Sequence, residues 1–361
     1  MDSSQSNTFK PVKGRGSLNN KASRYASTQS VSVDDGWETQ APLPLQTTVS
    51  LDTSRSIISR NQSPDIPFEQ SLNPYRGCEH GCIYCYARPS HAYLGLSPGL
   101  DFETRLFAKP DADQLLRAEL GGKRYTPSPI ALGANTDPYQ PIEREWLITR
   151  RVLEVLHDCC HPVIITTKSS LVERDLDIIA DMARHKHIQV NISITTLACD
   201  LARALEPRAT APERRLKTIR TLTDAGVPVM LLMSPIIPAL NDTEIEVLLA
   251  RAAEAGARAA DYIFLRLPRE LQELFREWLE AHQPLKAQRV LNRLCEIHGG
   301  DLYRSGFGIR QSGSGDYANM IRQRFSLAAR RNGLERSLPR MDCTRFRPPA
   351  HGPIQMDLFA D

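Results

Sequence analysis

Three cysteines occupy one short stretch, Cys78-Glu-His-Gly-Cys82-Ile-Tyr-Cys85, and Tyr86 follows at once. The spacing, Cys-x3-Cys-x2-Cys, brings three thiols close enough to converge on one metal centre. A closed structural zinc site takes four protein ligands, and ordinary four-iron clusters also take four cysteines. Three thiolates on a four-iron, four-sulfur cluster leave one corner open, and an open metal position is where chemistry takes place.

The elements that must position this loop are readable from hydrophobic patterning. Ser71–Arg76 is a short strand leading into the cysteines. Further strands are expected at Pro129–Gly133, Pro162–Thr167, Ile188–Thr195, Val227–Ile237 and Tyr262–Leu267. Helical spacing separates them at Glu143–His157, Leu171–Arg184, Pro212–Ala225 and from Asp242 through Ala255. Alternating strands and helices with near-continuous apolar strands predict an α/β fold with a parallel sheet. Its length suits a six-stranded (β/α)6 partial TIM barrel over 63–268 better than a closed barrel of about 250 residues. Helices over Glu270–His282, Leu285–His298 and Tyr317–Arg331 form a helical C-terminal extension, 269–334. Residues 1–62 are polar, with Phe9, Tyr25 and Trp37 as their aromatics, and read as a disordered basic N-terminal tail in which Asp34–Trp37 forms a turn-like island. Residues 335–361 read as an extended tail.

In parallel βα arrays, loops at the carboxyl ends of strands build the active site. The cysteine loop leaves the first strand. Asn135, Thr136 and Asp137 end the second, Lys168 ends the third, and Asn191 and Ser193 lie on the fourth. A lysine at a strand end is costly to bury unless it meets an anion.

A Cys-x3-Cys-x-aromatic-Cys loop after the first strand of a partial barrel resembles the radical S-adenosylmethionine enzymes, over roughly residues 67–268. The resemblance implies that Cys78, Cys82 and Cys85 hold a 4Fe-4S cluster whose open iron binds S-adenosylmethionine. It further implies reductive cleavage to a 5′-deoxyadenosyl radical that takes hydrogen from a substrate, and an electron donor such as flavodoxin or ferredoxin. The Cys-x3-Cys-x-Tyr-Cys-Tyr form and the Thr167-Lys168-Ser169 strand end are similar to the spore photoproduct lyase branch, which repairs a thymine dimer. The run Asn73-Pro74-Tyr75-Arg76-Gly77-Cys78 is similar to an uncharacterised bacterial group related to that branch. On this resemblance Tyr84, Tyr86, Thr136, Lys168 and Ser193 fall at cosubstrate-contacting positions, with Tyr86 the candidate catalytic side chain. Asn135, Thr136 and Asp137 would accept from the cosubstrate amine, and Lys168 would meet its carboxylate. The chain departs from the pattern twice. The usual Gly-Gly-Glu element is absent, and Ala134 stands where the lyase carries a hydrogen-donating cysteine. A lyase- or transferase-like reaction on an open substrate is therefore expected.

Charge distribution bears on that substrate. Residues 1–31 carry Lys10, Lys13, Arg15, Lys21 and Arg24 against Asp2, and nine arginines fall between Arg310 and Arg347 against three acids. Basic ends of this kind suit a polyanion, so DNA or RNA is the expected partner and a DNA lesion the expected target. RNA or protein modification, or a non-catalytic iron–sulfur sensor or clamp-associated protein, are the other functions these features accommodate. No secretory signal is expected in residues 1–30, and the apolar run Val227–Leu240 is interrupted by prolines and too short to span a bilayer. With eight cysteines in no disulfide-like pattern, a cytoplasmic protein is expected. His157 and His161 bracket Cys159 and Cys160 at a helix end and read as packing residues. Gly306–Gly315 lacks a phosphate-loop pattern.

Near the end, Gln355-Met356-Asp357-Leu358-Phe359 resembles the peptide by which bacterial proteins bind the sliding clamp. Leu358 and Phe359 would enter an apolar pocket while Gln355 anchors by hydrogen bonds, a small hot spot on a tether. Deleting Gln355–Phe359 is expected to abolish capture by the immobilised clamp and to leave cosubstrate cleavage intact. Equal capture with and without the peptide would remove the idea.

Overall fold

The apolar β-branched runs form strands, and the runs of helical period between them pack as helices. A computed structural model describes residues 12–26 and 45–349. Its strands are β1 (Thr48–Leu51), β2 (Ile58–Arg60), β3 (Gln70–Leu72), β4 (Tyr75–Arg76), β5 (Arg105–Ala108), β6 (Ile130–Leu132), β7 (Val163–Thr167), β8 (Ile188–Ser193), β9 (Val229–Ile236) and β10 (Ala259–Phe264). The main sheet has the order β10-β9-β8-β7-β6-β3-β2. Every pairing from β3 to β10 is parallel, and β2 adds an antiparallel edge beside β3. The six parallel strands are those expected from the sequence. A small second sheet, β1-β5-β4, lies beyond the end of β3.

Parallel strands need crossovers, and helices supply them. Val152, Leu153, Val155 and Leu156 of the helix Ile148–Asp158 are buried in the same core as Ile130, Leu132, Val163 and Ile165 of the sheet. The expected helix Glu143–His157 is broken at Leu147, whose φ of 51° is left-handed. Glu143 Oε2 then accepts from the amide of Thr149 at 3.0 Å, meeting an orphan donor of the new helix start. The C-terminal helices Leu271–His282, Pro284–Ile297 and Gly315–Arg331 follow the expected pattern. Trp278 anchors the first of them, fully buried, with Nε1 donating to the carbonyl of Ala204 at 3.0 Å.

Two stretches of the tail expected to be disordered are ordered instead. Residues 12–26 lie along the body, and residues 45–60 contain β1 and β2, so the sheet begins before the expected boundary at 63. Polar composition misled the reading because these segments are held by polar contacts with distant residues. Arg15, for example, donates to the carbonyl of Glu103 at 3.1 Å. The last strand begins three residues earlier than Tyr262, because Ala259–Asp261 pair with Met230–Leu232 of β9. The outer side of β10 is covered by the C-terminal extension: the Ala260 amide donates to Glu335 at 2.9 Å, and the Glu335 amide to Arg258 at 3.0 Å. Asp34–Trp37 and Gln355, Leu358 and Phe359 lie outside the described residues. Among the described residues, no helix is long and apolar enough to cross a membrane.

His161 packs at the foot of the sheet as expected. Its Nε2 meets the Tyr125 hydroxyl at 2.7 Å, its ring meets the edge of Phe346, and burial holds its pKa down to about 4. The unfolded chain takes up this proton first, at about pH 6.5. The His161 contribution is therefore complete above pH 6.5 and is lost as pH falls toward about 4. Urea midpoints measured from pH 7 to pH 4 should show His161→Gln reducing the proton dependence of stability by about one proton in that window. An unchanged slope would refute this.

Candidate active site

The cysteine loop begins just after β4 and is clamped from three sides. Cys78 and Cys82 are buried, Cys85 is partly buried, and all three are free thiols. The Cys78 amide donates to Phe102 at 2.9 Å, the Ile83 amide to Leu205 at 3.0 Å, and the Arg88 amide to Cys85 at 3.1 Å. The Arg88 side chain then holds the loop from below. Its guanidinium donates to the carbonyls of Cys82 at 2.8 Å, Gly81 at 3.0 Å, Gly99 at 2.9 Å and Pro98 at 3.1 Å, and pairs with Glu103 at 2.5 Å. Both members of that ion pair are fully buried.

Glu103 serves a second segment. Its carboxylate accepts the amides of Gly16 at 3.0 Å and Ser17 at 2.9 Å, so residues 12–19 lie as a strap across the cysteine loop. The approach needs glycine on both sides. A Cβ on Gly16 would stand 1.9 Å from the carbonyl oxygen of Gly81. Gly81 itself has φ of +67°, and a Cβ there would meet Glu103 Oε2 at 2.7 Å.

The polar turn after β6 holds the other side of the loop. Gln140 accepts from the Glu79 amide at 2.9 Å and donates to the Gly77 carbonyl at 3.2 Å. Asp137 uses both oxygens internally. It accepts from the Thr167 hydroxyl and the Lys168 amide, each at 2.7 Å, from the Tyr139 amide at 2.9 Å, and lies 3.3 Å from His80 Nδ1. Burial alone would raise its pKa, but His80 and these donors hold it below the ordinary range. Thr136 is buried and donates to the Tyr75 carbonyl at 3.0 Å. Of the three residues expected to accept from an amine, Thr136 and Asp137 are thus engaged in fixing the turn and the loop, and Asn135 alone is exposed.

Lys168, Ser193 and Tyr84 come together as the sequence suggests. Lys168 Nζ donates to Ser193 Oγ at 2.5 Å and sits 5.7 Å from the centroid of the Tyr84 ring. Asn191 is turned away to Thr166, at 3.2 Å. The acid that balances Lys168 gave no signal in the sequence. Glu206 follows a short helix, 3.9 Å from Lys168, and pairs with the buried Arg215 and the Tyr84 hydroxyl. Burial would raise its pKa, yet Arg215 and Lys168 outweigh burial and hold it down to about 2. Tyr86 is 40 % exposed, its hydroxyl donates to the Ala134 carbonyl, and the guanidinium of Arg266 lies 5.0 Å over its ring. Arg266 was legible only as a charge inside the apolar run YIFLRL.

Burial raises the pKa of each thiol, and nearby negative charge adds to this, from Asp137 at Cys78 and Glu206 at Cys82. Each is also raised by charge on a neighbouring cysteine or eased by Lys168, so the three thiols share one electrostatic neighbourhood. A metal would displace the protons of such desolvated thiols by binding and stabilising the thiolates directly. Among the described residues, no three His, Cys, Asp or Glu side chains are gathered around a single ion. Separate thiols on one loop suit a multi-iron cluster, in which each binds its own iron.

A profile of the Radical SAM superfamily matches residues 72–252, from β3 through most of the helix Ile245–Glu254. The chain belongs to the radical SAM superfamily. An uncharacterised protein of Mycobacterium tuberculosis is 33% identical over 72% of this chain and 73% of its own length. Another, from Methanocaldococcus jannaschii, is 27% identical over 62% of this chain and 79% of its own. Among solved structures, a spore photoproduct lyase mutant superposes with TM-score 0.56 over 80% of each chain at 16% identity, and a second one, with bound AdoMet and dinucleoside spore photoproduct, with 0.54 at 17% identity. These likenesses establish the fold, the α/β partial barrel expected from the sequence.

Breaking the buried pair beneath the loop gives a direct test of the clamp. Glu103→Gln leaves Arg88 charged and buried without a counter-ion, which costs about 3–5 kcal/mol. Guanidinium unfolding of the metal-free chain should register that loss, and limited proteolysis should cut first within residues 12–26. Wild-type stability in the variant would show that the pair does not hold the loop.

Proposed function

We propose that this radical SAM enzyme binds a 4Fe-4S cluster through Cys78, Cys82 and Cys85 and uses S-adenosylmethionine to modify nucleic acid. The observation that carries the reading is the location of three free, desolvated thiols on the loop after the first barrel strand, beside Lys168. A cluster held by these three thiolates would supply one-electron reduction of the cosubstrate sulfonium, the chemistry that makes hydrogen abstraction from a substrate accessible.

The residues of the chain bind and orient. Lys168 is held by Ser193 and the Tyr84 ring with its ammonium against the cysteine loop, where a carboxylate of the cosubstrate would complete its partners. Glu206 stays ionised and stands 3.9 Å from Lys168 as its counter-charge. Asn135, exposed on the rim, remains available to the cosubstrate amine, while Asp137 and Gln140 keep the loop fixed as the ligand enters. Tyr86 forms the wall between the cysteine loop and the second strand end and acts by position there. Ala134 offers no thiol to return hydrogen to a product, so the reaction differs at its last step from one that depends on a cysteine at this place.

DNA is the favoured substrate. The arginine-rich C-terminal end supports it, and the clamp-like tail would deliver the enzyme to replicating or repaired DNA. Electrons would come from a small donor such as flavodoxin or ferredoxin.

Anaerobically reconstituted enzyme with S-adenosylmethionine and dithionite is expected to form 5′-deoxyadenosine well above a Cys82→Ala control, and deuterium should pass into it from suitably labelled DNA. No excess over the control would sink the enzyme reading, and label transfer only from RNA or a peptide would redirect it. Lys168→Met should weaken cosubstrate binding by about 10- to 100-fold, the value of one charged hydrogen bond, with the cluster spectrum unchanged. Calorimetry on the reconstituted protein decides this.

A further inference from the structure

The two tyrosines that flank Cys85 each carry a cation on the ring. Lys168 lies over Tyr84 and Arg266 over Tyr86, at 5.7 Å and 5.0 Å. The two cations differ in their company. Lys168 has Glu206 and Ser193. Arg266 has no acid: among the described residues it forms no ion pair or hydrogen bond, and its Nε is buried without a partner. Other buried or half-buried arginines of the barrel are matched to carboxylates, Arg88 to Glu103, Arg174 to Glu143 and Asp175, and Arg215 to Glu206.

A half-buried guanidinium without an anion is costly, so its retention here calls for a partner that arrives from outside. Its place narrows the choice. Arg266 stands two residues beyond the end of β10, on the rim where the other parallel strands end. The ring beneath it belongs to the residue next to Cys85, and the hydroxyl of that ring is bound to the Ala134 carbonyl at the end of β6. Stacking on an aromatic face fixes the plane of a guanidinium and leaves its donor edge free, the arrangement that recognises phosphate in two-pronged fashion.

We infer that Arg266, oriented by Tyr86, is the anion subsite of the substrate and takes a phosphodiester of the nucleic acid being modified, while Lys168 takes the cosubstrate. This rests on the nucleic-acid reading above for the identity of the substrate, but not for the existence of the anion site. Arg266 is a binding residue and Tyr86 its positioning residue.

The test uses full-length reconstituted protein, wild type, Arg266→Gln and Arg266→Lys, with folding checked by circular dichroism. Three probes are titrated: inorganic phosphate by thermal shift, a fluorescent single-stranded oligothymidylate by anisotropy at several salt concentrations, and S-adenosylmethionine by calorimetry. Arg266→Gln is expected to abolish the phosphate shift, to weaken the oligonucleotide about tenfold or more, and to lower its salt slope by about one. Cosubstrate affinity should be unchanged, and Arg266→Lys should recover part of the salt slope. A phosphate shift in the wild type that Arg266→Gln removes, without oligonucleotide binding by either, keeps the anion site and overturns the nucleic-acid reading. The inference falls if wild type shows no phosphate shift, if Arg266→Gln binds both anions like wild type, or if that variant loses S-adenosylmethionine instead.

Discussion

One buried ion pair, Arg88 with Glu103, ties together everything that surrounds the three cysteines. Two opposite charges taken wholly out of water are tolerable only when the remaining donors and acceptors are also met. Here they are. Arg88 spends its other donors on four loop carbonyls, and the ring of Phe102 lies 5.2 Å from its guanidinium carbon. Glu103 spends its second oxygen on the strap. The pair thus gives a loop without regular secondary structure a fixed backbone, and the three thiols are carried on it. A catalytic constellation held on such a frame is preorganised.

The rim divides its polar residues between two duties. Asp137, Thr136 and Gln140 hold backbone and His80 pairs with Asp137, whereas Lys168, Tyr86, Arg266 and Asn135 stand at or just beyond strand ends or on the cysteine loop. The first group is engaged within the protein, whereas Arg266 in the second has an Nε without a partner. Glu206 stands between them: a fully buried acid kept ionised by Arg215, it fixes Tyr84 from below and balances Lys168 from the side.

Much of this was legible in the chain, and the limits have physical causes. The six parallel strands were readable because strands buried on both faces are nearly continuous in apolar residues. The cysteine spacing and Lys168 at a strand end were readable because their residue types are rare in those settings. β1, β2 and β5 were missed: each has four residues or fewer and is defined by partners far away in sequence. The strap over residues 12–19 was taken for disorder because its polar side chains and glycines look the same free or docked. Glu206, Arg215 and Arg88 carry no local signature, since what makes a buried charge tolerable is a partner brought by the fold. Asp137 misled in the opposite sense: it looked like a ligand-binding acid and proved to be a backbone clasp.

The covering of β10 by Glu335 bears on how the chain is made. A parallel sheet that does not close has two edges, and a bare edge invites pairing with another molecule. On one side the short antiparallel β2 blunts the edge. On the other, the last barrel strand is complete some seventy residues before its cover, because β10 ends at Phe264 and the capping segment is at Glu335. During synthesis the barrel therefore passes through a stage in which all its catalytic parts exist while one flank is open to self-association. The segment at Glu335 thus closes an edge that a version ending at the last barrel strand would leave bare to other strands.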